Sequence, residues 1–202
     1  MKFIPLLFLA VLFLGCEPIK EIDRSSTLVP EDLKKHSDEF RKEVITVTEG
    51  IHVAIGFSLA NSMMVEGEQG KIIIDTTGTI ETGREVRSIF DRINPYPIKA
   101  VIYTHNHGDH VFGAKAFVDD KDIDVIAHIT TKKYINRILG ILRPIISKRS
   151  SRMFGSAIVE EKIENNGIGS FLEIGKKGRQ TSLVYPTREF TDNLKLNVSG
   201  VD

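Results

Sequence analysis

Two continuous apolar runs separated by an amphipathic segment constrain the fold of this chain most strongly. The runs are KIIIDT at 71–76 and KAVIYT at 99–104, and uninterrupted apolar stretches of this length are typical of buried strands. The segment between them places its apolar residues on one helical face: Val86, Ile89, Phe90 and Ile93. A strand, a helix and a second strand predict a βαβ crossover, in which both strands end at the same edge of a sheet.

The flanking segments predict the remaining elements. Residues 30–42 favour a short helix, and the β-rich segments up to residue 76 favour an antiparallel meander that leads to the central strand. We predict five further helices or strands after the crossover: a short helix at 111–118, a strand at 123–128, a helix from Thr130 to about Ile146 interrupted near Pro144, and strands at 181–186 and 194–201. Residues 165–171 and 190–193 are expected to be loops.

The loop that follows the second strand of the crossover, THNHGDH at 104–110, contains three of the six histidines of the chain. Imidazole and carboxylate are the ligands that Zn²⁺ accepts where thiolates are absent. Alternate side chains of an extended stretch share a side, so His105 and His107 can meet one ion while Asp109 and His110 turn toward a second. Two neighbouring ions can activate a water molecule for hydrolysis. A polar loop with chance histidines and a mononuclear structural site are the alternatives.

The order H-x-H-x-D-H after a buried strand resembles the metal motif of the metallo-β-lactamase superfamily. The resemblance implies an α/β fold, the αββα sandwich, with two zinc ions. It implies that His105 and His107 bind one ion, that Asp109 and His110 bind the other, and that Asp109 also orients the attacking water. Asp75, at the end of the neighbouring strand, matches the acidic residue that supports the metal loop from behind the ligands, although a turn-forming Asp at a strand end is the alternative.

Longer segments are similar to the alkyl and aryl sulfatase branch of that superfamily, including IHVAIGFSLANSMMVEG, AVIYTHNHGDHVFGAKAF, YINRILGILRPIISKRSSRMFG and NNGIGSF. This similarity implies hydrolysis of a small-molecule sulfate monoester. The alternatives are another hydrolase on the same fold, acting on a lactam, lactone or phosphoester, and a non-catalytic metal-binding lipoprotein.

The family pattern implies further metal ligands downstream, and no histidine follows His128 in this sequence. We therefore expect residues 30–202 to be the N-terminal half of the sandwich, incomplete at its C-terminus, and little activity from these 202 residues alone. The family also carries a dimerisation region, so a homodimer is expected only of a full-length protein.

The N-terminus has the pattern of a secretion signal. Lys2 precedes an apolar run that ends at Gly15-Cys16, and Cys16 is the single cysteine of the chain. Residues 13–16 resemble the bacterial lipobox, which predicts a signal peptide at 1–15, a lipidated Cys16 and a polar tether at 16–29. The protein would then be anchored by acyl chains to a membrane of the bacterial cell envelope. A plain secretory signal and an uncleaved anchor are the alternatives.

Charge gives no argument for a nucleic-acid partner, because Lys plus Arg and Asp plus Glu number 27 each. One basic cluster stands out: Arg143, Lys148, Arg149 and Arg152. We expect it to form a solvent-exposed face or structural ion pairs; the alternatives are support of a bound anion near the site and contact with nucleic acid or anionic lipid. His128 is expected to be a packed histidine rather than a ligand, as are His36 and His52, and Gly167-x-Gly169 lacks the context of a dinucleotide loop.

Overall fold

The computed structural model describes residues 31–155, 158 and 162–202. The predicted signal peptide, Cys16 and the tether, together residues 1–29, lie outside the described residues. These three assignments therefore stay predictions.

One seven-stranded mixed sheet, with its strands in sequence order, forms the centre of the described part of the chain. The strands are β1 (Glu43–Thr48), β2 (Ile51–Ile55), β3 (Ser62–Glu66), β4 (Lys71–Ile74), β5 (Ile98–Tyr103), β6 (Asp124–His128) and β7 (Arg188–Phe190). Strands β1 to β4 pair antiparallel, and β4 to β7 pair parallel. The direction changes after β4 because longer crossovers replace the short turns of the meander. The predicted meander and crossover are confirmed.

Five α-helices accompany the sheet in the described residues: α1 (Glu31–Ser37), α2 (Ile80–Ile93), α3 (Gly108–Val111), α4 (Ile129–Leu139) and α5 (Arg143–Met153). Helix α2 is the predicted crossover helix. It begins after Thr79, whose side chain accepts a hydrogen bond from the Thr82 amide and so caps the first turn. Among the helices that the structure describes, none combines the length and the apolar composition that crossing a bilayer requires.

Both faces of the sheet are covered. Successive strand residues point to opposite sides, so Ile73 packs with the fully buried Val86 and Phe90 of α2, whereas Ile72 belongs to a smaller cluster on the other face. Burying a side chain of this size contributes roughly 1.5–3 kcal/mol. The apolar residues of the last segment cover that second face: Leu194, Leu196, Val198 and Val201.

Several predicted elements after the metal loop differ from the structure. Pro144 does not interrupt a helix but lies in the first turn of α5, where its missing N–H costs nothing, and the break falls earlier, after Leu139. Residues 181–186 and 194–201 make only isolated bridges instead of strands. Part of the predicted loop at 190–193 instead belongs to the sheet, because β7 ends at Phe190.

A polar cluster at the other end of β4 joins the strands β1 to β4 and the end of α2. His52 contacts the Thr46 hydroxyl through Nδ1 and Glu66 Oε1 through Nε2, the latter at 2.6 Å. Glu66 Oε2 accepts from Asn94 Nδ2 at 2.9 Å, and the Asn94 carbonyl accepts from the buried ammonium of Lys71. Both ring nitrogens of His52 are thus engaged, in agreement with a packed histidine.

Candidate functional site

The metal loop, residues 104–110, lies at the C-terminal end of β5, as predicted from the crossover. Its second half turns into α3, whose first residue is Gly108, so the chain reverses between His107 and His110. Ligand sites of α/β sheets favour this edge. A bend at residues 104–106, the extended His107 and one helical turn therefore bring the predicted ligands together.

The imidazole of His105 lies beside both other imidazoles of the metal loop. The ring centroids of His105 and His107 are 4.6 Å apart, and those of His105 and His110 are 4.0 Å apart. The Asp109 carboxylate lies beside them, with Oδ2 3.5 Å from His110 Nε2. His107 is exposed and the other three are half-buried. The four predicted metal-binding residues therefore lie close together, with His105 beside both other rings and Asp109 beside His110.

Asp75 lies directly behind the metal loop and is almost fully buried. Its Oδ1 accepts a hydrogen bond from the Thr104 amide at 2.8 Å, and its Oδ2 accepts from the Thr104 hydroxyl and from His110 Nδ1, each at 2.7 Å. The backbone of Asp75 is left-handed, with φ of 61°, a conformation that Asp and Asn tolerate better than most residues. This is the location that the sequence predicts for Asp75, and its role stays a prediction.

The hydrogen bonds of Asp75 determine where two histidines carry their protons. A carboxylate only accepts, so His110 must donate from Nδ1, and in the neutral ring Nε2 is then the free nitrogen. The Thr104 hydroxyl has one hydrogen, which it donates to Asp75. Its oxygen must therefore accept a hydrogen bond from His105 Nδ1, 3.0 Å away. Both imidazoles then present an Nε2 lone pair, the form in which histidine binds a metal ion.

Hydrogen bonds join the DTTG turn, residues 75–78, to the metal loop and to Gly113 just after it. The amide and hydroxyl of Thr76 both donate to the His110 carbonyl, at 2.7 and 3.0 Å. The Gly113 amide donates to the Thr77 carbonyl at 3.0 Å. A Cβ at Gly113 would lie 2.0 Å from the Thr76 carbonyl oxygen, so only glycine permits this approach.

Asp75 could be identified from the sequence as a residue that supports the metal loop, whereas Thr76 and Thr104 were not predicted. The parallel register of β4 and β5 contains the signal for Thr104. Because Ile74 pairs with Ile102, the residues that follow these two strands must also be neighbours.

Burial and neighbouring charges shift the pKa values of two loop histidines in opposite directions. Burial, together with the neighbouring His110 and His107, lowers the pKa of His105. Burial also acts to lower the pKa of His110, but the hydrogen bond to Asp75 and the charges of Asp75 and Asp109 outweigh it, and the net pKa is raised. His105 therefore stays neutral to lower pH than His110.

The donor chemistry of the loop fits zinc, since neutral imidazoles and a carboxylate are zinc ligands. Within the described residues, however, no group of three or more His, Cys, Asp or Glu side chains already has the arrangement that would hold an ion.

The other candidate residues lie outside this site. His128 uses both ring nitrogens, toward Thr130 and the Thr191 carbonyl, and packs edge-on against Phe190. His36 is exposed and contacts Glu39. The four basic residues of α5 are all exposed, in agreement with a solvent-exposed face. Gly167 and Gly169 lie in a loop.

These features define a member of a family of metal-site proteins built on a mixed α/β sheet. The model of the metallo-beta-lactamase superfamily matches residues 55–168, more than half of the chain and the whole metal loop. The chain therefore belongs to the metallo-beta-lactamase superfamily. Within it, the chain lies in the alkyl and aryl sulfatase branch. Members of the superfamily bind zinc.

The relatives support this placement. A linear primary-alkylsulfatase from Pseudomonas sp. (strain ATCC 19151) is 32% identical over 145 residues, which cover 68% of this chain and 27% of that protein. The alkyl/aryl-sulfatase BDS1 from Saccharomyces cerevisiae is 37% identical over 78 residues, which cover 38% of this chain and 12% of that protein. The chain thus spans about a quarter or less of the length of these relatives.

The fold agrees with a solved structure of the same branch. A double mutant of the sec-alkyl sulfatase PisA1 from Pseudomonas sp. matches with a TM-score of 0.73 over 84% of this chain and 28% of that chain. The identity is 22%, so this likeness shows the fold alone. The predicted α/β fold of the superfamily is confirmed, and the chain covers part of the fold of its solved relative.

Proposed function

We propose that this protein is a zinc-dependent hydrolase of sulfate monoesters such as primary alkyl sulfates. One observation carries the metal-dependent part of the proposal: Asp75 leaves His105 and His110 with free Nε2 lone pairs at one edge of the sheet. The substrate class rests on relatives that are named alkylsulfatases.

The metal loop supplies a divided set of ligands. His105 and His107 would hold one zinc ion, while Asp109 and His110 would hold a second. When bound, zinc supplies Lewis acidity toward an ester oxygen and lowers the pKa of water toward neutrality. The positive charge of zinc would also attract an anionic sulfate ester. The loop itself has no Lys or Arg side chain that could do so.

The residues of the chain itself provide orientation. Asp75 fixes the tautomers of His105 and His110 from behind, so neither ring has to reorganise its protons before binding. Asp109 is half-buried beside His110, where its carboxylate can accept a hydrogen from the attacking water and so aim an oxygen lone pair at the substrate. The overall reaction converts a sulfate monoester and water into an alcohol and hydrogen sulfate.

The proposal is tested by assaying zinc-loaded protein with dodecyl sulfate and with the lactam nitrocefin. Both the 202-residue chain and the protein purified from its native cells should be examined, beside His105→Ala as the matched inactive variant. We expect sulfate release by the native protein and none by the variant. Lactam opening without sulfate release would assign a different hydrolase activity, and zinc binding without turnover of either compound would favour a metal-binding lipoprotein.

The cellular location is a separate proposal. We infer from the N-terminal pattern that Cys16 carries the lipid anchor and that the protein acts in the bacterial cell envelope. Labelled fatty acid should be incorporated into the wild-type protein and not into Cys16→Ser. Equal labelling of both proteins would contradict the lipid anchor at this residue.

A further inference from the structure

Glu173 is a buried carboxyl group that the proposed chemistry does not use. It is 0% exposed, and its Oε1 accepts a hydrogen bond from the buried Ser58 hydroxyl at 2.6 Å. Its Oε2 has no hydrogen-bond partner among the described residues. Because a buried polar atom without a partner is costly, its location calls for a physical reason.

Glu173 and Ile174 pack directly on the two backbone segments that form the site. A Cβ at Gly78 would lie 3.1 Å from both Glu173 Oε1 and Ile174 Cγ1, and a Cβ at Gly108 would lie 3.0 Å from Ile174 Cδ1. Gly78 ends the DTTG turn and Gly108 lies in the metal loop. The pair 173–174 therefore bridges the turn and the loop.

Two further hydrogen bonds attach Gln180, seven residues after Glu173, to the start of α2. The Ile80 amide donates to the Gln180 carbonyl, and the Gln180 amide donates to Glu81 Oε2, each at 2.8 Å. These bonds tie the segment 173–180 to the first turn of α2, directly after the DTTG turn. Because the segment is held at both ends, Ile174 has a defined position over Gly108.

A neutral carboxyl group is the form that suits this location. Burial raises the pKa of Glu173, and the hydrogen bond from Ser58, nearby backbone groups and the charge of Arg179 oppose that rise without cancelling it. A protonated carboxyl group resembles an amide in shape and polarity, so glutamine is the matched replacement at this position.

We propose that Glu173 is a positioning residue of the site: through Ser58 and Gly78 it holds Ile174 against Gly108 and so limits opening of the metal loop. The consequence for zinc binding rests on the proposed function. The positioning itself is a property of the metal-free protein and can be measured without zinc.

The test is amide hydrogen exchange of residues 104–113 in the metal-free protein, comparing wild type with Glu173→Ala and Glu173→Gln. Loss of the acceptor for a buried hydroxyl and of the packing under Ile174 favours local opening, so the alanine variant should exchange about tenfold faster in this segment. The glutamine variant retains the acceptor and should stay within about twofold of wild type. Ser58→Ala, a smaller change, should also accelerate exchange in the segment.

A second control separates positioning from general destabilisation. Ile126→Val removes one buried methylene from the opposite face of the sheet and should lower overall stability without accelerating exchange at 104–113. Unchanged loop exchange in Glu173→Ala, or an equal acceleration in Ile126→Val, would overturn the proposal. If Glu173→Ala does not fold, Ser58→Ala and Glu173→Gln decide the question by the same criterion.

A parallel titration with Co²⁺ keeps the two proposals distinguishable. A wild-type protein that gives no cobalt absorption spectrum but shows the expected exchange pattern would refute the metal site and support the positioning role. A wild-type protein that binds cobalt while exchange in Glu173→Ala stays unchanged would refute the positioning role and support the metal site.

Discussion

Replacing Asp75 by asparagine should weaken zinc binding by changing the protons on two histidines while leaving the backbone in place. Asparagine has nearly the same volume and tolerates the left-handed backbone found at residue 75. Its Oδ1 can still accept from the Thr104 amide, but an NH₂ group now replaces Oδ2. His110 Nδ1 then faces a donor and must give up its proton, which moves to Nε2.

The same substitution reaches His105 through Thr104. The Thr104 hydroxyl would accept from the new NH₂ group and donate to His105 Nδ1, reversing the order of the hydrogen bonds in the wild-type protein. Both Nε2 atoms would then carry protons that a metal ion must displace. Loss of a supporting partner of this kind lowers metal affinity by about 10–100-fold. Replacement of the charged acceptor lowers the free energy of unfolding by about 1.5–3 kcal/mol.

Zinc affinity is measured by competition with a chromophoric chelator, and stability by urea unfolding of the metal-free protein. Asp119→Asn is the matched control, since Asp119 contacts Arg87 at 2.7 Å with its side chain 56% exposed. A surface ion pair of this kind is worth about 0–1 kcal/mol. Zinc affinity and a urea midpoint in Asp75→Asn equal to those of wild type would refute the tautomer argument.

Three further predictions concern single residues. His107→Ala removes an exposed donor, so calorimetric titration should show at least about tenfold weaker zinc binding with an unchanged thermal midpoint of the metal-free protein; unchanged affinity would exclude His107 as a ligand. The raised pKa of Glu173 means that its stabilising contribution is complete below the ordinary value of 4.5 and is lost as pH rises through the folded-state pKa. Glu173→Gln should therefore gain stability relative to wild type with rising pH in urea titrations, and a constant difference would contradict a raised pKa. Hydrogen bonds from His52 and Asn94 lower the pKa of Glu66. The contribution of Glu66 to stability is therefore present above 4.5 and is lost as pH falls through the folded-state pKa. Glu66→Gln should lack this acid-dependent loss of stability, which parallel acid titrations of both proteins would reveal.

The central part of the fold could be predicted because its signals are local. The apolar runs of β4 and β5 and the one-sided apolar pattern of α2 each lie within a few residues, and together they place the metal loop at a sheet edge. Pro144 shows the limit of such signals. A proline marks a helix start as well as a helix break, and the pattern around residue 144 does not say which one applies.

The C-terminal segment was the least predictable. Its apolar residues signal burial, but burial does not require pairing in the sheet. Residues 181–186 instead pack beside the end of β5 and the residues that follow α3. The Tyr103 hydroxyl donates to the Val184 carbonyl at 2.8 Å, and the Ser182 amide donates to the Phe112 carbonyl at 2.7 Å. The short strand β7 occupies the edge beside β6.

The sequence by itself determines which four side chains the metal loop contains and that they follow a buried strand. These properties depend only on residues that are neighbours along the chain. The protonation pattern of the histidines is different, because it depends on Asp75 meeting Thr104 and His110 across 29 and 35 residues. The burial of Glu173 depends on Ser58, 115 residues away. Contacts at such separations exist only once the chain has folded, which is why side-chain periodicity could locate the loop but could not reveal what holds it in shape.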